Sequence, residues 1–234
     1  MNAEHTMRRH SIYDDDQAIR RQIAQGQHRE IVGGAWEELG TLQANFLIDQ
    51  GLQPHHLFVD VGCGSFRAGM KLIPYLGASH YFGIDARLAL LEVGYAREIE
   101  PAGLAGRFPR ANCTATSDFD LSGFGVRFDY GIAQSVFTHM PIGRLDDCLR
   151  AIGPHFHIGG RFYATFFLVD ETLVNRGVKH ARGGIMSMPD RDPFHTTVNV
   201  VRAMCEGAGG WQMHLIGHWN HPRSQQIVRF TRVI

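Results

Sequence analysis

The chain reads as an α/β protein: a mostly parallel sheet with helices on both faces, closed by an antiparallel hairpin. Three observations predict this. Short apolar runs alternate with segments of helical periodicity from residue 57 to residue 169, the rhythm of successive βαβ units. The first run ends in Asp60-Val61-Gly62-Cys63-Gly64 and passes into a helical pattern, the kind of turn that seats a nucleotide at the carboxyl end of a strand. The last two runs, Trp211–Trp219 and Gln226–Val233, are separated only by a loop containing His-Pro-Arg-Ser. Strands joined so closely pair antiparallel.

Each element has its own warrant. Residues 1–52 are expected to form an N-terminal arm and helical cap, and residues 53–234 the main domain. The opening stretch is charged and weakly periodic, as in a mobile arm or a lid helix. Trp36, Leu39, Phe46 and Leu47 recur at near-helical spacing up to Gly51. Leu52-Gln53-Pro54 is a turn, and Leu57–Val61 the first strand. Ala68–Leu76 is a helix with Leu72, Ile73 and Leu76 inward, and Tyr81–Ile84 is the second strand. Leu88, Leu91, Tyr95 and Ile99 mark the next helix, and a short third strand falls within Ala111–Thr116. Phe128–Ala133 is the fourth strand; Leu145, Leu149, Ile152 and Phe156 share a helix face; Arg161–Val169 is the fifth strand. Asn175–Phe194 is polar and irregular, and Thr197–Ala208 is helical.

Bulk composition narrows the function. The 23 basic and 23 acidic residues cancel, so the basic footprint of a nucleic-acid binder is absent. No run of about 18 apolar residues predicts a membrane span, and Met1–Asp16 lacks the apolar centre of a secretory signal. The four cysteines, Cys63, Cys113, Cys148 and Cys205, are widely spaced, which fits reduced thiols in a cytoplasmic protein. Among 14 histidines the close pairs are His55-His56, His155-x-His157 and His218-x-x-His221, none in the ligand-rich setting of a metal motif. No metal is expected.

Gly62 and Gly64 allow a ligand to approach the backbone. Asp85 ends the second strand 21 positions after Gly64, where a carboxylate can accept two ribose hydroxyl protons. A helix N-cap is the competing explanation for Asp85, and a strand-end cap for Asp60. A dinucleotide fingerprint would place a third glycine where Arg67 stands.

Taken in order, Val59-Asp60-Val61-Gly62-Cys63-Gly64, Tyr81-Phe82-Gly83-Ile84-Asp85, Phe128-Asp129-Tyr130 with Ala133–His139, and Gly159-Gly160-Arg161-Phe162 resemble the motifs of class I S-adenosylmethionine-dependent methyltransferases. The resemblance runs from about Gly33 to the C-terminus. The V-G-G-x-W and F-T-H-M-P segments are similar to those of small bacterial members with no assigned substrate. It implies a Rossmann-like three-layer sandwich with a seven-stranded sheet and S-adenosylmethionine as cofactor. Gly62, Cys63 and Gly64 would lie against its methionine part, and backbone amides at the start of the next helix can bind its carboxylate. Asp60 would help hold the amino group, Asp85 with Ala86 the ribose, Asp118 the adenine amino group and Phe119 the ring. Gln134 would line the methionine channel, and Arg67 would either pair with a carboxylate or brace the loop.

A sulfonium is a strong methyl donor, so positioning an acceptor in line supplies much of the catalysis. For a hydroxyl acceptor a base also helps, and His139, just after the fourth strand, is the leading candidate. His195 and His221 are weaker ones. Ala133-Gln134-Ser135-Val136 stands where amino-directed DNA enzymes carry Asn/Asp-Pro-Pro-Tyr/Phe, and no Pro-Cys nucleophile is present. A small-molecule acceptor is therefore expected, with O- or N-methylation favoured. A non-catalytic cofactor-binding module and an NAD-dependent oxidoreductase are the alternatives.

Overall fold

The computed structural model describes Ser11, Tyr13 and residues 15–234. The expected N-terminal arm therefore lies partly outside the described residues. Asp15 caps α1 (Asp16–Ala24) by accepting from the Ala18 N–H at 2.8 Å. A short α2 (His28–Ile31) follows, and then α3 (Trp36–Asp49), which carries the predicted Trp36, Leu39 and Leu47 inward.

The alternating stretch folds as β1 (Phe58–Val61), α4 (Gly69–Tyr75), β2 (Tyr81–Asp85) and α5 (Leu88–Gly94), with β3 (Cys113–Ala115) completing this half. The other half is β4 (Phe128–Ala133), α6 (Arg144–Ile152) and β5 (Phe156–Leu168). Three short strands follow, β6 (Val178–Lys179), β7 (Met186–Ser187) and β8 (His195–Thr196). The chain closes with α7 (Val198–Ala208), β9 (Trp211–His218) and β10 (Gln226–Arg232). The strand order is β3-β2-β1-β4-β5-β10-β9. The first five strands run parallel, whereas β10 lies antiparallel between β5 and β9. The expected seven-stranded path is present, with β8 as an eighth strand pairing parallel to the end of β5.

Period-two alternation sorts side chains onto the two faces. Val59 and Val61 join a core with Phe162, Ala164 and Phe166, covered by Leu145 and Leu149 of α6 and Val201 of α7. Phe58 and Tyr163 enter the opposite core with Leu47 of α3, Leu72 of α4 and Leu91 of α5. This is the three-layer sandwich. A third cluster, Ile19, Ile31 and Leu90 with Tyr13 and Val32 against it, seats the N-terminal helices on α5.

Two expectations change. Phe156, placed on a helix face by periodicity, opens β5 instead. Gly153-Pro154-His155 ends the helix in a tighter turn, and Phe156 pairs with Phe128. The register then slips, so that Tyr130 pairs with Arg161, and Gly159 in the slipped stretch takes φ +86°. The segment 175–194 is not wholly irregular. Val178–Lys179 and Met186–Ser187 form a two-stranded ribbon that leads into β8. Among the described residues no helix is long and apolar enough to cross a membrane.

Candidate active site

The carboxyl ends of β1, β2 and β4 open into a cavity of about 390 Å³, a size and position typical of ligand sites in open α/β sheets. Gly62, Cys63, Gly64, Asp60, Asp85 and Ala86 lie at one end of its wall, and Phe119 and Gln134 also reach it.

The turn after β1 depends on its glycines. Gly62 has φ +73° and Gly64 φ +53°, the left-handed region that penalises a Cβ. A Cβ at Gly62 would come within 2.5 Å of Val136 Cγ2, and one at Gly64 within 2.5 Å of Val32 Cγ1. The two glycines thus let the turn pack tightly between the loop after β4 and the N-terminal helical region. The Gly62 and Cys63 N–H groups donate to Ile84 O at 2.8 and 3.0 Å. The Gly64 N–H donates to Asp85 Oδ2 at 2.9 Å. These three amides are engaged by the protein itself. Cys63 is buried, and burial raises its thiol pKa well above the ordinary value. It is a small wall residue rather than a nucleophile.

Asp85 also accepts from the Arg87 N–H at 2.8 Å through Oδ1. Two backbone donors therefore fix its carboxylate at the cavity edge. Burial raises its pKa against the lowering effect of those bonds. Its role as a turn cap and its availability to a ligand coexist, since each carboxylate oxygen can accept more than one bond. Asp60 is only 3% exposed and accepts from the Tyr81 hydroxyl at 2.7 Å. Burial pushes its pKa up to about 7, opposed by that hydrogen bond and by the charge of Arg67.

Arg67, left open between two roles, is a brace. Its Nη1 donates to Val32 O at 2.7 Å and to Gly34 O at 3.2 Å, tying the segment before α3 to the glycine turn. Burial lowers its pKa to about 10, against the opposing charge of Asp60.

Phe119 and Asp118 separate sharply. Phe119 is buried at φ +59° and lines the cavity, with the Arg144 guanidinium 5.0 Å from its ring centroid. Asp118 is exposed, outside the cavity wall, and contacts the Ser117 hydroxyl at 3.3 Å. The structure does not bring Asp118 into the cavity. The left-handed backbone at Phe119 aims the neighbouring side chains in different directions.

Gln134 sits in a buried polar cluster. Its Nε2 lies 3.2 Å from Gln225 Oε1 and 3.1 Å from His221 Nε2, while its Oε1 is buried without a protein partner. A buried unpaired amide oxygen at a cavity wall is a position for a ligand donor.

The cavity wall continues through the loop after β4. Ser135 takes φ +61°, and its N–H donates to Thr165 Oγ1 at 2.8 Å. The Phe194 N–H donates to Thr138 O at 2.7 Å, docking residues 188–195 against this loop. That docking places Asp192 Oδ1 2.6 Å from His139 Nδ1. Ser11 Oγ donates to Asp192 Oδ2 at 2.6 Å, and the Tyr13 ring meets His139 edge-on at 5.0 Å. Burial works to raise the Asp192 pKa, but the His139 bond and charge, with the Ser11 bond, outweigh it and hold it below the ordinary carboxylate range.

The other two histidines are engaged elsewhere. His195 lies between Ser187 Oγ, 2.9 Å from Nδ1, and Val174 O, 3.0 Å from Nε2. It does not line the cavity. His221 accepts the Arg223 N–H through Nδ1 at 3.2 Å. Burial, with Arg223 and Arg67, lowers its pKa to about 3, so it stays neutral and holds the cluster around Gln134. Asp192, Tyr13, Gln225 and Arg223 are site residues that sequence reasoning missed. Each comes from a segment without a local motif.

The fold and the cavity define a class: a seven-strand methyltransferase-like sheet with its site at the carboxyl edge. No family model matches the chain. Among solved structures, it is similar to magnesium protoporphyrin IX methyltransferase from Synechocystis PCC 6803 with bound S-adenosylhomocysteine, at 15% identity over 93% of this chain and 100% of that one, TM-score 0.60. It is similar to an S-adenosylmethionine-dependent methyltransferase from Clostridium acetobutylicum ATCC 824, at 11% identity over 92% and 99%, TM-score 0.62. It is also similar to CalS10, an amino pentose methyltransferase from Micromonospora echinaspora with bound S-adenosylmethionine, at 15% identity over 91% and 97%, TM-score 0.58. The chain therefore has the class I S-adenosylmethionine-dependent methyltransferase fold along most of its length.

Proposed function

We propose that the protein is an S-adenosylmethionine-dependent methyltransferase acting on a small-molecule acceptor. One observation carries the reading: a single cavity runs from the Gly62-Cys63-Gly64 turn and Asp85 to a histidine oriented by a carboxylate. In this reading residues 53–234 form the methyltransferase domain and the described part of residues 1–52 caps it. The four free cysteines fit a cytoplasmic setting.

The residues present fit the cofactor. The buried Asp60 carboxyl supplies an acceptor for an ammonium, and Gln134 lines the same cavity. Asp85 at the cavity edge suits ribose hydroxyls, and Phe119 offers an apolar face for a base. Asp118, exposed outside the wall, is assigned no contact with adenine. When bound, the cofactor supplies a methyl group on a sulfonium. The protein's part is to hold the acceptor in line, to exclude water and, for a protonated acceptor, to take the proton at His139. The neutral charge balance favours a small acceptor over a nucleic acid.

Calorimetry of the full chain with S-adenosylhomocysteine and with NAD tests the reading. Binding of S-adenosylhomocysteine is expected. Binding of NAD in its place would reassign the site to hydride transfer. Turnover of S-adenosylmethionine to S-adenosylhomocysteine with a metabolite pool separates an enzyme from a binding module.

A further inference from the structure

Resting on the methyltransferase reading, we infer that Asp192 is a positioning residue that fixes His139 as a base, and that the acceptor is an aromatic hydroxyl. Asp192 Oδ1 and His139 Nδ1 are 2.6 Å apart, short even for a hydrogen bond to a carboxylate. A carboxylate can only accept, so Nδ1 carries a proton, and in the neutral ring Nε2 holds the lone pair. Among the described residues no protein group bonds to Nε2, and His139 lines the cavity. Asp192 itself is held from its other oxygen by the Ser11 hydroxyl, and its segment is docked through Phe194 N–H on Thr138 O. The ring is thus oriented by one partner that is itself anchored twice, which is the arrangement a proton acceptor requires.

The surrounding wall selects the acceptor. Tyr13, Met140, Phe167, Ile185 and Pro193 line the same cavity, and the Tyr13 ring packs directly against His139. This favours a flat apolar body carrying one polar group. Acidity selects the group. A neutral amine attacks with its own lone pair and needs no base. An alkyl hydroxyl, near the ~16 of water, gives an imidazole base far less driving force. A phenol, near ~10, is within its reach. In the transfer the phenol oxygen's electron pair forms the O–CH3 bond. The S–CH3 bond pair returns to the sulfonium sulfur, and the phenol proton moves to His139 Nε2.

The test uses the full-length protein with S-adenosylhomocysteine bound and ring-nitrogen NMR of His139, assigned by comparison with His139→Gln. The wild type is expected to show neutral His139 protonated at Nδ1. Asp192→Asn is expected to lose that tautomer while S-adenosylhomocysteine affinity stays within a factor of ~2. Methyl transfer is then measured with a phenol panel that runs from 4-methylphenol and 4-nitrophenol to hydroxylated naphthalenes. The His139→Gln loss should reach ~10²–10⁴-fold with 4-methylphenol, the scale of a general base. It should be far smaller with 4-nitrophenol, which arrives already ionised. Asp192→Asn should follow the same pattern with a smaller loss. A wild-type His139 protonated at Nε2, equal losses on both phenols, or no transfer to any phenol would overturn the inference. Failure to bind S-adenosylhomocysteine would instead overturn the cofactor reading on which it stands.

Discussion

The two ends of the cavity are built in opposite ways. At the glycine turn, the wall comes from β1, β2 and the residues just after them, packed against Val136 of the loop after β4 and Val32 before α3, and Asp85 is fixed by the N–H groups of Gly64 and Arg87. At the His139 end, the wall is assembled from the loop after β4, the segment 185–195 and the described N-terminal residues Ser11 and Tyr13. The first end rests on parallel strand pairing and is common to a fold. The second rests on loop-to-loop contacts. Rigid strand ends suit a cofactor that never varies, and loops suit an acceptor that does.

The comparison breaks most visibly at Asp85. Asp85→Ala removes the proposed ribose acceptor and the anchor for two backbone N–H groups. Two hydrogen bonds to a charged group are worth ~3–6 kcal/mol together, so S-adenosylhomocysteine affinity should fall by roughly 10²–10⁴-fold. Calorimetry reads this directly. A variant that binds like the wild type would leave Asp85 as a turn cap alone. At the other end, His139→Gln should leave S-adenosylhomocysteine affinity unchanged and slow transfer by ~10²–10⁴-fold. Unchanged turnover would mean that positioning alone does the work.

This contrast also explains what was legible in the sequence. The parallel sheet, the closing hairpin and the first-end residues Asp60, Gly62, Cys63, Gly64 and Asp85 follow from local patterns: strand periodicity, a glycine turn and an acidic strand end. His139 could be placed beside the site because it follows β4 directly. Asp192 could not, since it lies 53 positions from His139 and reaches it only through the docking of Phe194 on Thr138. Tyr13 and Gln225 were hidden for the same reason. Phe156 misled because its helical spacing to Ile152 and Leu149 continued past the turn at Gly153.

Asp60 sharpens the comparison through pH. A buried carboxyl with a pKa near 7 binds its proton more tightly folded than unfolded. Its ionisation therefore lowers stability as pH rises from about 4 through 7. A cofactor ammonium reverses the preference by favouring the carboxylate. S-adenosylhomocysteine affinity should accordingly rise by up to ~10-fold between pH 6 and pH 8, with proton release near neutrality. Titrations in buffers of different ionisation enthalpy measure both. A flat affinity across that range would separate Asp60 from the amino group.

The smallest effect lies at Asp118, and it tests how far a motif can be carried without its backbone. Phe119 and Asp118 are neighbours, yet one is buried in the cavity wall and the other is exposed beyond it. The left-handed backbone at Phe119 is what divides them. Asp118→Asn keeps the size and removes the charge of an exposed side chain whose contact is local, at the Ser117 hydroxyl. Such a surface change stays within about 0.5 kcal/mol, so both S-adenosylhomocysteine affinity and thermal stability should move by no more than a factor of ~2 in the corresponding constants. Phe119→Ala should weaken affinity by more than that, since it strips an apolar face from the wall. A large loss at Asp118 with a small one at Phe119 would mean that this loop rearranges around the adenine. The cofactor end would then be as adaptable as the acceptor end.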